Sequence, residues 1–153
     1  MSVISEIPRE FGYVLSVAAT SFFLNTALGF QVSAYRKAAG IKYPIAYAND
    51  ELAAKDPKAF QFNCARSPSH SSVLKICLAH TSWLGALLIS GLRYPVASAS
   101  FGAAWIVSRV LYGRGYAVKG PEGRLGGAYL GFFADIAIKS MAMFTSVMFA
   151  LGY

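Results

Sequence analysis

Charge is what this sequence has least of. Asp, Glu, Lys and Arg make up only 14% of its 153 residues, against roughly a quarter in soluble domains. So few charges cannot cover a soluble surface, and those present are clustered. From Phe11 to Val32 there is no charged residue at all. Acidic residues are scarcer than basic ones, 7 against 14, for a net charge of +7. The basic residues sit between apolar runs rather than on one solvated face, the pattern of loops that flank membrane helices, so no nucleic-acid partner is expected. Cysteine is limited to Cys64 and Cys77, which fit neither a zinc spacing nor a disulfide framework. No metal is expected, and both thiols read as structural, Cys77 as a small hydrophobe within an apolar run. A basic leader is also missing. Glu6, Arg9 and Glu10 precede the first apolar run, which therefore reads as a retained helix and not a cleaved signal.

What the sequence does have is four long apolar stretches. A helix needs ~20 apolar residues to cross a hydrocarbon core of ~30 Å. Such runs cover about 11–32, 73–92, 96–116 and 126–153. The expectation is an all-α integral membrane protein, one domain over 1–153, built as a four-transmembrane-helix bundle. Residues 37–70 read as a polar connection punctuated by Pro44, Pro57 and Pro68. Arg93-Tyr94-Pro95 reverses the chain, because proline disfavours helix in the residue before it. Gly120-Pro121-Glu122-Gly123 reads as a loop. Gly127 with Gly131, and Ser98 with Gly102, give small-residue spacings that let helices approach closely in lipid. The first connection carries Arg36, Lys37, Lys42, Lys55, Lys58 and Arg66, and the third carries Lys119 and Arg124. The positive-inside rule puts both in the cytosol and both termini in the lumen.

Polar residues inside the apolar runs are the candidates for chemistry. Trp105, Arg109, Tyr112 and Tyr116 follow at intervals of four, three and four, one face of a helix. An arginine there must meet the bundle interior, a cavity or an interface. The face reads either as a polar site open to the cytosolic side or as a snorkelling arginine among belt tyrosines. Asp135 and Lys139 are spaced i and i+4 and read as a mutually neutralising structural pair. His80 reads as a packed, hydrogen-bonded residue.

The segment Ala104-Trp105-Ile106-Val107-Ser108-Arg109-Val110-Leu111-Tyr112, ending in Gly115-Tyr116, resembles the family of membrane-associated proteins in eicosanoid and glutathione metabolism (MAPEG). The resemblance is to its microsomal glutathione transferase type 3 branch, related to leukotriene C synthase, which shows R-x-x-Y-x-x-G-Y on its third helix. Val32-Ser33 with Arg36-Lys37 and Tyr43-Pro44 fits the end of that family's first helix, and Phe62-Asn63-Cys64 the lead into its second. The resemblance implies a homotrimer with glutathione, a co-substrate, bound between subunits near the cytosolic surface. It implies that Arg36, Arg109, Tyr112 and Tyr116 contact glutathione. Lys37 would stand near the reacting centre and Arg124 by the sulfur. The second substrate would be a lipophilic electrophile or lipid hydroperoxide taken from membrane lipid. The membrane would be that of the endoplasmic reticulum, with the outer mitochondrial membrane as the alternative.

One window departs from that pattern. After Phe-Asn-Cys the family continues with arginine, asparagine and, three residues on, glutamate. This chain has no Asn or Glu between Ala65 and Tyr94, and the window is about four residues longer. The family glutamate binds the glutathione ammonium, so its loss points to weak binding or none. Two readings of the window follow, a shifted frame or exon boundary in the gene model and a non-catalytic member serving as a lipid-binding or scaffolding protein.

Overall fold

The computed structural model describes the backbone of residues 7–43, 45–70 and 73–152, and side chains within these except those of 65–79, 120 and 121. Pro44 and the side chains of Arg66, Pro68, His70, Lys75, Cys77 and Pro121, all of which figure in the sequence reading, lie outside the described residues. Among the described residues six α-helices follow in order: α1 (Phe11–Ala38), α2 (Asp50–Lys55), α3 (Pro57–His70), α4 (Val73–Arg93), α5 (Pro95–Lys119) and α6 (Leu125–Ala150). A 3-10 turn, Gly120–Arg124, joins α5 to α6. No strand occurs among the described residues.

Helix α1 is apolar for most of its 28 residues, and its hydroxyls are satisfied within the helix. Ser16, Thr20, Thr26 and Ser33 each donate to the carbonyl four residues back, at 2.8–3.1 Å, the usual local solution for such side chains in a helix. Arg36 and Lys37 in its last turn suit the negative end of the helix dipole. Gly40 then adopts a positive φ of 66° to end it. Tyr94 alone separates α4 from α5, whose first residue is Pro95, where a missing N–H costs nothing.

The bundle is layered, with α4 and α5 between α1 on one side and α6 on the other. Helix α1 packs on α5, α3 and α4, while α6 packs on α5 and α4. Phe11, Val14 and Ala18 of α1 meet Trp83 and Leu87 of α4, Ala99 of α5 and Ile138 of α6 in one core. A second core at the opposite end gathers Val32, Ala48, Ala59, Phe62 and Ala117.

In lipid such contacts gain little from burial, because the tails are as apolar as the side chains, so close approach decides the packing. Gly127 of α6 lies against the backbone of Ser108 and Tyr112, and Gly131 against the Ser108 hydroxyl. The G-x-x-x-G spacing thus joins α6 to α5 within one chain. The Ser98 hydroxyl donates to that of Ser90 across 2.8 Å, a polar cross-helix bond worth ~0.6 kcal/mol in a bilayer.

Two helices meet the requirement of length and apolar composition for crossing a membrane: α1, and a stretch from Glu122 through α6 to Ala150. Helix α5 has the length, 25 residues, but its serines and glycines with Arg109 and Arg114 dilute its apolar character. Helix α4 is 21 residues long, and the side chains of its first seven lie outside the described residues. The connection over 37–70 also differs from expectation. It holds α2 and α3 in place of a loop, because Asp56-Pro57 is a helix start: the Asp56 carboxylate accepts from the Lys58 N–H at 2.9 Å.

Candidate functional site

The polar face of α5 forms one continuous file of rings and guanidinium groups. Trp105 stacks on Trp83 of α4 with centroids 4.1 Å apart. The Arg109 guanidinium stands 5.6 Å from the Trp105 ring and 6.0 Å from that of Tyr112. Tyr112 and Tyr116 lie parallel at 6.1 Å. Arg124, delivered by the 3-10 turn, completes the file 5.6 Å above Tyr116. These separations are at the outer reach of cation–π attraction, about 0.5–1 kcal/mol each where exposed. Neither arginine meets a carboxylate among the described residues. The file therefore presents positive charge held by rings, an arrangement that can accept an anion.

Its geometry depends on the turn that follows α5. The backbones of Gly115 and Gly123 touch, so that a Cβ on either would collide with the other's carbonyl oxygen. That contact folds the turn back along the last helical turns and sets Arg124 over Tyr116 instead of beyond the end of α5.

At the other end of the file lies His80. Its Nε2 is 3.1 Å from the Ser21 hydroxyl, and its ring is flanked by Phe22, Trp83 and Trp105 at 5.7–6.1 Å. This is a packed, hydrogen-bonded histidine that ties α1 to α4.

Arg36 does not join the file. It is buried to 6% exposure, and its guanidinium donates to the carbonyls of Ile45 at 2.8 Å, Ile41 at 3.4 Å and Lys42 at 3.5 Å. It lies between the rings of Tyr43 and Phe62, at 4.3 and 4.9 Å. Here it clamps the connection after α1, a role that reading the sequence missed because carbonyl acceptors leave no signature in side-chain identity. Lys37, next to it, is exposed. Asn63 likewise serves the backbone. Its amide accepts from Ala48 N–H at 2.8 Å and donates to Ala48 C=O at 3.1 Å, pairing with the backbone as a neighbouring strand would.

The file of α5 and the close packing of α6 on it fall in a stretch that matches a known family. Residues 77–144 match the MAPEG family. The matched stretch takes in Arg109, Tyr112, Tyr116 and Arg124, together with the glycine contacts that fix the turn between α5 and α6. It leaves out α1 with Arg36 and Lys37, and all but the end of the window that departs from the MAPEG pattern. This match over 77–144, together with two helices long and apolar enough to cross a membrane, points to a membrane protein.

Proposed function

We propose that this protein is a membrane-bound glutathione transferase or peroxidase of the microsomal type 3 kind, acting on lipophilic electrophiles or lipid hydroperoxides. The observation that carries the reading is the file from Arg109 through Tyr112 and Tyr116 to Arg124, inside the stretch that matches MAPEG. Glutathione brings two carboxylates and a thiol. Arg109 and the tyrosine hydroxyls bind and orient the peptide, and Arg124 stands by the sulfur. A free thiol has a pKa of ~8.5 and reacts as the thiolate. A guanidinium keeps its charge when partly desolvated, so beside the sulfur it lowers the thiol pKa. The thiolate attacks the electrophilic carbon, a C–S bond forms, and the leaving group departs with the electron pair of its bond. With a hydroperoxide, two thiols give one disulfide, an alcohol and water. Lys37 stands near the reacting centre, three copies form a trimer, four helices of each cross the endoplasmic reticulum membrane, and both termini face the lumen.

The test is thiolate absorbance on adding glutathione to the purified protein, with Arg124→Ala as the comparison. Thiolate in the parent and none in a folded Arg124→Ala supports the assignment, while equal thiolate in both removes Arg124 from the role.

A second reading has its own support. Arg36 is committed to three backbone carbonyls, and 65–79 contain no Asn or Glu to receive the ammonium. A MAPEG-like protein that keeps the bundle and binds lipid without turnover fits both facts. Glutathione-dependent thermal stabilisation separates the two, being present for the enzyme and absent for the lipid-binding protein. Restoring the family's arginine, asparagine and glutamate in the 65–79 window raises activity if the window is the lesion.

A further inference from the structure

Helix α6 exposes an ion pair where a membrane-crossing helix tolerates it least. Lys139 Nζ meets Asp135 Oδ2 at 2.6 Å, and the two side chains are 48% and 27% exposed. Lys139 lies eleven residues before Ala150 and fourteen after Leu125, about 16 and 21 Å at 1.5 Å per residue, beyond the reach of a lysine stem toward either interface. Charged groups at that depth face a bundle interior, water or a polar partner. Here neither ion has any partner but the other among the described residues, and two of the three ammonium protons are left without an acceptor.

The opposite side of the molecule carries a complementary feature. Gly12, Ser16 and Thr20 form an exposed stripe of small residues along α1, and a Cβ added at Gly12 would meet nothing within 4 Å. Both hydroxyls donate inward to their own helix, which leaves their oxygen lone pairs facing out as acceptors.

The depths of the two features agree. Val17 abuts Gly102 and Leu28 abuts Gly113, so α1 and α5 run parallel and in step. Ser108 abuts Gly131 and Tyr112 abuts Gly127, which sets α6 antiparallel to α5. Carried through α5, this register puts Ser16 level with Lys139 and Thr20 level with Asp135 to about one residue, ~1.5 Å.

We propose that the ion pair on α6 is completed by a second copy of this chain, whose α1 stripe seats against it, with Lys139 donating to the Ser16 and Thr20 hydroxyl oxygens of that copy. The small residues let the helices close enough for those bonds, and polar contacts of this kind hold helices together in lipid. The contact is head to tail, because the two surfaces are on opposite sides of one bundle, and such contacts close into rings when the rotation allows. The inference rests on reading α1 and α6 as membrane-crossing, and not on glutathione chemistry.

Phe23 and Phe132 extend the two stripes at matching depth, and both are exposed. The test co-expresses Phe23→Cys copies and Phe132→Cys copies, differently tagged and with Cys64 and Cys77 replaced by alanine, and oxidises the membranes with copper phenanthroline. A mixed-tag disulfide that is lost when Ser16→Leu and Thr20→Leu are added supports the proposal. Cross-linking of Phe132→Cys copies to one another, or no mixed product from folded membrane-inserted copies, overturns it, as does a mixed product that survives the leucine pair. A mixed product in a chain with no affinity for glutathione leaves the interface standing and removes the enzymatic reading alone.

Discussion

Gly115 and Gly123 meet backbone to backbone where the 3-10 turn folds onto the end of α5, and neither position has room for a methyl group. Because the clash is with backbone and not with the tip of a flexible side chain, it is not relieved by rotamer change. Alanine at either position destabilises the protein by ~2 kcal/mol or more and displaces Arg124 from Tyr116. Gly126 and Gly127 supply the internal control. A Cβ at Gly127 would stand 2.5 Å from Tyr112 N, whereas one at Gly126 would meet nothing within 4 Å. Thermal denaturation in detergent should therefore rank Gly127→Ala far below Gly126→Ala. Equal melting temperatures for the last two would mean that α5 and α6 do not approach so closely.

Arg36 is expected to matter to folding before it matters to any ligand. Removing it takes their shared donor from the carbonyls of Ile41, Lys42 and Ile45, and a hydrogen bond to a charged group contributes ~1.5–3 kcal/mol. Lysine is a poor substitute, since one ammonium cannot match a planar fork held between two rings. Both Arg36→Ala and Arg36→Lys should lower the melting temperature and open residues 41–45 to proteolysis. A stable Arg36→Ala with unchanged proteolysis and weaker glutathione binding would restore it to the ligand site.

Cys64 is buried in α3, and that burial pushes its thiol pKa up. The folded chain then holds the proton to higher pH than the unfolded chain, whose thiol titrates near 8.5. Stability from this group is complete below that value and is lost as pH rises above it. The melting-temperature advantage of the parent over Cys64→Ala should accordingly shrink between about pH 7 and about pH 10. Alkylation of Cys64 should be slow in the folded protein and fast after denaturation. An advantage that stays constant across this interval would contradict the burial argument.

Asp135 and Lys139 should behave as a unit. Either single change, Asp135→Ala or Lys139→Ala, strands the remaining charge in an apolar helix and lowers stability, whereas the double change to Asn and Met removes the need for pairing. The expected result is a double variant that melts above both single ones. Additive losses would indicate that the two side chains act independently.

Much of the fold could be read from the sequence because lipid imposes a plain rule: long charge-free runs become helices. Phe11 to Val32 and the run ending near Tyr153 follow that rule, and their helices are found there. The same rule says nothing about 37–70. There α3 begins at Asp56-Pro57, a capping signal that the prolines of the segment disguised as loop punctuation. The α5 file was legible as well, since intervals of four, three and four fix a helical face whatever surrounds it. The place of Arg124 over Tyr116 was not, because it depends on two glycine backbones touching. The resemblance assigns Arg36 to a ligand, and the carbonyls it meets could not be read, because only the folded connection defines their positions.

The Asn63 amide bridge to Ala48 makes the segment between them a closed circuit, sealed at its neck by two hydrogen bonds. Arg36 pins the approach to that neck from α1. Within the circuit α3 packs on α1 and α5, whereas α2 packs on α3 alone among the described residues, which insulates α2 mechanically from α1 and the membrane bundle. An epitope or reporter spliced into α2, between Asp50 and Lys55, would hang from the neck without transmitting strain. The same splice between Ile41 and Ile45 would pull directly on the end of the first helix.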